Sequence, residues 1–189
     1  MLFKNSILIL LFLCFVIPVS AQKYLSTDAA VVSKNLGNST FTSNKSFYDN
    51  IVDAPDFTIM AQILKTDGSR KNLESQEMVT FFAISDEAFL KFNKETRDSI
   101  LGNPMLLKGV INFLAVPGRL DSHALKTEIA KKGGPIYIKT LSGEQLGVRE
   151  TDGQLQLFDS ENRTATVIAK DFYHKNGFFH IIDALIFPR

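Results

Sequence analysis

The stretch Asn176–Pro188, NGFFHIIDALIFP, closes a 189-residue chain, and its reading decides the fold. Apart from Asn176, His180 and Asp183, every residue in it is apolar or glycine. Successive side chains of a strand point to opposite faces. A strand over Phe178–Phe187 therefore puts His180 on one face with Phe178, Ile182, Ala184 and Ile186. Asp183 falls on the other, among Phe179, Ile181, Leu185 and Phe187. Both faces are apolar, which predicts a strand covered on both sides. A histidine and an aspartate three apart on such a strand diverge, so they do not share a metal ion or pass one proton. Each is expected to be a core group tied down by hydrogen bonds, because a buried polar group without a partner is costly. Asn176-Gly177 just ahead reads as a two-residue hairpin turn.

Working outward, the period stays at two. Ile136 and Ile138, Leu146 and Val148, Leu155 and Leu157, and then Val167 alternate with polar residues. Ser142-Gly143, Asp152-Gly153 and Asn162 supply turns, so this half predicts a meander of short antiparallel strands. The first half is helical. Phe57, Met60, Ile63 and Leu64 share a helix face, and Asp67-Gly68 ends the run. Val79–Ile84 is a short β-rich run, followed by Ser85-Asp86-Glu87 as a helix start and by Ala88, Phe89 and Phe92 at helical spacing. Further helices are expected over Pro104–Phe113, stopped by Val116-Pro117-Gly118, and over Asp121–Lys131. Helices first and strands second is the α+β pattern, and no internal repeat suggests more than one domain. Gln22–Ser43 is polar and aperiodic, which predicts a lead-in or linker.

The N-terminus reads as a signal peptide over residues 1–21. Lys4 is its positive region, Ile7–Val16 its apolar run, and Val19-Ser20-Ala21 its cleavage site. That run is too short to span a bilayer comfortably. Cys14 is the only cysteine, and Leu13 before it does not suit lipid attachment. Cleavage would leave no cysteine, so the exported domain must be held by its core alone. It would also remove Lys4 from a formal net charge of +1, leaving a neutral chain. A neutral chain without a basic stripe does not predict a nucleic-acid binder, and Lys131-Lys132 reads as a solvated helix end.

Candidates for catalysis are few. His123, His174 and His180 have no zinc spacing and no cysteine to help. No nucleophile elbow, P-loop or dinucleotide fingerprint is present, and a helix N-terminus accounts for Asp86-Glu87. The reading is therefore no enzyme, no cofactor and no metal. With 16 phenylalanines and no tryptophan, core packing and a lipophilic pocket are the two accounts of the aromatic content. Asn38, Asn44 and Asn162 stand in glycosylation sequons, which matter only in a eukaryotic host.

Four segments, in order, resemble the fasciclin-like domain family. Thr80-Phe81-Phe82-Ala83-Ile84-Ser85-Asp86-Glu87-Ala88-Phe89 is similar to its first signature. Val116-Pro117-Gly118-Arg119-Leu120 matches its central turn and Thr140–Leu146 its strand pair. Asn176–Pro188 matches its closing signature. The resemblance runs from near Asn44 to the end and implies a single domain over 44–189, a β-strand wedge or sandwich packed against several short helices. In family terms Thr80, Ala83, Ser85, Asp86, Pro117, Gly118, Asn176, Gly177, His180 and Asp183 are then structural motif residues. Ile84 replaces the usual proline. Phe113-Leu114 replaces a Tyr-His pair linked to integrin contact in animal members, so that route is not expected here.

The resemblance implies a secreted or cell-envelope adhesion module of the single-domain, bacterial type, acting on a protein or a surface polysaccharide. Without a hydrophobic tail after Arg189, no anchor is expected once the signal is removed. The alternative is an exported carrier of a small lipophilic ligand, since some exported relatives bind pigments. Lys170–Lys175 leads into the Asn176-Gly177 turn and is expected at an exposed hairpin end. Asp171, Tyr173 and His174 are the partner-contact candidates, His174 because it can gain charge below pH 7. In animal relatives an Asp-Ile pair at this place is implicated in receptor contact, and only Asp171 carries over.

Overall fold

A computed structural model describes residues 30–66 and 68–189; the proposed signal peptide lies outside the described residues. The centre is the strand β3 (Val79–Ile84), buried at every position. Such a run suits a strand covered on both faces. Its neighbours are β9 (Gly177–Ile182), which runs parallel to it, and β4 (Ala115–Pro117), which runs antiparallel. The meander follows as β5 (Ile136–Lys139), β6 (Gln145–Thr151), β7 (Gln154–Phe158) and β8 (Thr164–His174). Together they form a seven-stranded sheet ordered β4-β3-β9-β8-β7-β6-β5. Just past β5, Leu141 N–H donates to Ala115 C=O of β4 at 2.8 Å, so the two sheet edges meet and the sheet nearly closes. Closure hides the edges on which strands otherwise pair with foreign chains.

Helices pack beside this sheet: α1 (Phe47–Val52), α2 (Thr58–Thr66), α3 (Ser69–Ser75), α4 (Asp86–Leu90), α5 (Lys94–Leu101), α6 (Pro104–Phe113) and α7 (Ser122–Lys132). Their starts follow from sequence: Ser46, Asn93, Asn103 and Asp121 each accept a hydrogen bond from a first-turn N–H. The architecture is the expected α+β fold. α1, α3 and α5 escaped the sequence reading because they are short, and α3 and α5 carry few apolar residues at helical spacing.

The core absorbs the phenylalanines. Phe41, Phe57, Phe81, Phe82, Phe89, Phe113, Phe172 and Phe179 are among its largest fully buried side chains. Phe41 meets Phe172 and Phe179 edge to face at 5.2 and 5.1 Å, a favoured aromatic geometry.

Three expectations need correction. Within the stretch read as a lead-in, β1 (Ser33–Leu36) and β2 (Ser39–Thr42) form a hairpin, and Phe41 on β2 is 1% exposed. The packed structure thus begins before Asn44; one apolar residue on each strand, Leu36 and Phe41, gave no periodic signal. The last strand ends at Ile182, not Phe187, with a bend at Asp183 and Ala184. The hairpin turn is Lys175-Asn176, because His174 pairs with Gly177. Gly177 is needed for a different reason: a Cβ there would lie 1.9 Å from the Val79 carbonyl oxygen of the parallel neighbour.

Candidate functional site

Thr80 and His180 of the signature segments meet the Gly118–Leu120 turn beside a bulge in β8. Its pairing with β9 slips between Ala169 and Phe172, and Asp171 adopts a left-handed φ of 60°. Aspartate tolerates that conformation better than most residues. The Asp171 carboxylate accepts two hydrogen bonds from Ser122, from its N–H at 2.6 Å and its hydroxyl at 2.6 Å, and so holds the start of α7. Lys34 of β1 donates to the Lys170 carbonyl at 2.6 Å and lies over the Phe172 ring at 4.7 Å.

His180 sits beneath this bulge, fully buried and stacked on Phe82 at 5.5 Å. Its Nδ1 accepts from the Asp171 N–H at 3.1 Å, and its Nε2 lies 2.8 Å from the Leu120 carbonyl. A backbone N–H only donates and a carbonyl only accepts, so the ring is neutral with its proton on Nε2. Burial pushes the imidazole below its usual range, against the opposing pull of the Leu120 carbonyl, Asp171 and Asp121. For Asp171, partial burial pushes its carboxyl up, but the two Ser122 bonds and the nearby His180 and Lys34 outweigh it, leaving it below the usual range. Thr80 completes the clamp by donating to the Gly118 carbonyl and accepting from the Leu120 N–H, both at 2.8 Å. Gly118 itself needs its φ of 103°.

His174 does not face a partner. It is 3% exposed, and Nε2 lies 3.2 Å from the carbonyls of both Val79 and Phe178. Burial pushes it down to about 4, despite those carbonyls. The side chain of Asn176 nearby is committed to the Leu73 and Gln76 carbonyls, so His174 Nδ1 has no hydrogen bond of good geometry. The cavity it borders measures about 10 Å³, room for no more than one water. The contact role expected of His174 is therefore corrected: alternation along β8 turns it and Phe172 inward, and Tyr173 outward onto Phe178 at 4.9 Å. Tyr173 is half-buried and Lys175 exposed.

The other acids also serve the backbone. Asp86 opens α4 yet caps α2, accepting from Thr58 N–H at 3.0 Å, Thr58 hydroxyl at 2.6 Å and Ile59 N–H at 2.9 Å. Ala83 and Ser85 are buried, and Pro117 is exposed at the end of β4. Asp183 was expected in the core. Its side chain is instead 33% exposed past the strand end, accepting from Thr166 N–H at 2.7 Å and lying 3.4 Å from the Lys91 ammonium. Among the described residues no three His, Cys, Asp or Glu cluster so as to hold a metal. Nor is any helix among them long and apolar enough to cross a membrane.

Residues 55–188 match the family model for the fasciclin domain. Transforming growth factor-beta-induced protein ig-h3 from Sus scrofa is 29% identical over 79% of this chain, and its counterpart from Oryctolagus cuniculus is 28% identical over the same share. The chain spans only 20% of the length of these relatives. Among solved structures, a FAS1 domain pair from the insect cell adhesion molecule fasciclin I superimposes with a TM-score of 0.63. That match covers 84% of this chain and 67% of the pair at 13% identity, a likeness of fold. The chain belongs to the fasciclin domain family.

Proposed function

We propose that the protein is a secreted or cell-envelope adhesion or interaction module that works through surface contacts and not by catalysis. The observation that carries this reading is where the polar side chains of the signature segments are engaged. Asp86, Asp171, His180 and Asp183 direct their hydrogen bonds to the protein's own backbone and to Ser122, Thr58 and Lys91. They leave no acid, base and nucleophile facing a common space. Family membership supports the same view. Of the expected contact residues, Asp171 and Tyr173 keep part of their surface accessible, and the exposed Lys175 lies beside Tyr173 at the β8–β9 hairpin. Asp171 is a poor probe of contact, since its removal also frees α7.

Adhesion of the purified protein to cells or matrix in a plate assay tests this reading. A Tyr173→Ala, Lys175→Ala variant is expected to fold like the parent and adhere less. Parent-like adhesion would move the contact elsewhere, and absence of adhesion by the parent on every surface would refute the reading. Intact mass of the exported protein checks that its N-terminus is Gln22.

One observation favours the carrier alternative. A groove of about 490 Å³ opens between α2, α5 and α6, lined by Thr58, Ile59, Gln62, Ile63, Leu101 and Leu107. Its volume lies in the range of small-ligand sites. Protein purified from its source would then carry a bound chromophore or lipid, visible by absorbance or native mass spectrometry.

A further inference from the structure

The outward face of the meander carries an aromatic row flanked by cations. The registers align Tyr137, Gly147 and Phe158 in one row across β5, β6 and β7, with Lys139 and Gln145 on one side and Arg149 and Gln156 on the other. Tyr137 is 54% exposed and meets Phe158 edge to face at 5.7 Å. Phe158 lies flat over β6 because residue 147 is glycine: a Cβ there would come within 2.4 Å of the ring. Arg149 lies over the opposite part of Phe158 at 5.1 Å from its centroid, its Nε donating to Gln156 at 2.8 Å. Lys132, from the end of α7, holds its ammonium 5.4 Å over Tyr137.

The outward positions of these three strands include no aspartate or glutamate. Among the described residues Lys132, Lys139 and Arg149 meet no carboxylate partner, although the formal net charge of the whole chain is only +1. Cations are thus segregated around an exposed aromatic ring. Lys139 and Arg149 lie about 13 Å apart along the sheet, so a single small anion does not reach both. Gln145 and Gln154 offer both donors and acceptors, which suit hydroxyl groups better than bare charge alone. Neither the His174 cavity nor the groove beside α2 is lined by residues of this face.

We infer that the β5–β6–β7 face docks an acidic polysaccharide, its sugar rings stacking on Tyr137 and its carboxylates meeting Lys132, Lys139 and Arg149. This rests on the adhesion reading and names a partner class for it.

The test is isothermal titration of the full protein with polygalacturonate, with dextran and polyglutamate as comparisons. Polygalacturonate is expected to bind, more weakly as salt rises, and dextran and polyglutamate to bind less. Tyr137→Ala should weaken binding about tenfold while the variant still unfolds cooperatively in urea at a modestly lower midpoint, and Tyr137→Phe should largely restore binding. Arg149→Gln and Lys139→Gln should each weaken it and flatten the salt dependence. Equal binding of dextran, binding of polyglutamate as tight as polygalacturonate, no binding at all, or indifference to Tyr137→Ala would each overturn the inference. Adhesion in the plate assay that persists without polygalacturonate binding would remove this inference and leave the adhesion reading in place.

Discussion

Asp171 grips Ser122 with both carboxylate oxygens, each at 2.6 Å, across 49 residues of sequence. The same residue offers its own N–H to His180, so one bulge in β8 positions both the start of α7 and the buried imidazole. Loss of the carboxylate leaves Ser122, 6% exposed, with an unsatisfied N–H and hydroxyl. Asp171→Ala is expected to cost about 1–3 kcal/mol. Asp171→Asn should fall between, since asparagine tolerates the left-handed backbone and keeps one acceptor. Urea unfolding checks this; midpoints equal to the parent for both variants would contradict the clamp.

Acid should weaken the fold before the carboxylates titrate. His174 is held at about 4 in the folded chain against an ordinary 6.5, and His180 is shifted the same way. Between those values the unfolded chain takes up protons that the folded chain refuses. The stabilisation is therefore complete above about pH 6.5 and falls as pH drops towards 4, by about 3 kcal/mol for His174 alone. Asp159 and Asp171 are shifted below their ordinary 3.8, so their contributions fade only at still lower pH. Urea midpoints at pH 7.5, 6 and 5 read this slope. A flat profile would show that the imidazoles are not excluded from water.

Gly177 has no room for a side chain against β3. Gly177→Ala would drive its Cβ into the Val79 carbonyl, 1.9 Å away, and backbone cannot swing aside as a side chain can. The variant should lose about 3 kcal/mol or more. Gly153→Ala is the comparison: nothing lies near its Cβ, and its φ of 78° is the sole obstacle. The thermal midpoint of Gly177→Ala should drop further than that of Gly153→Ala; the reverse order would mean that the parallel pair is looser than described.

The N-terminal hairpin is part of the fold. Phe41→Ala would open a cavity against Phe57, Phe172 and Phe179, and is expected to cost about 3–5 kcal/mol. A chain beginning at Asn44 should be destabilised at least as much. Parent-like melting of that truncated chain would return residues 33–42 to the status of a lead-in.

Much of the architecture was determined by the sequence alone. Val79–Ile84 was legible as an unbroken apolar, β-rich run, and the helices expected over Pro104–Phe113 and Asp121–Lys131 and the period-two meander from the spacing of their apolar residues and their caps and turns. The buried, hydrogen-bonded place expected of His180 followed from its apolar neighbours. Tertiary structure decided the rest. Asp86 reads locally as the start of its own helix, yet it caps Thr58, 28 residues earlier. Lys170–Lys175 reads as a charged loop, yet His174 in it is buried against Val79, 95 residues away. The sheet edges meet only when Leu141 reaches Ala115, and a cationic face appears only when three strands lie side by side. Local pattern reports which way a side chain turns relative to its own neighbours. Which distant backbone group stands there to receive it is settled by the packing of the whole chain, because each such bond holds only when the remaining contacts bring both partners within about 3 Å.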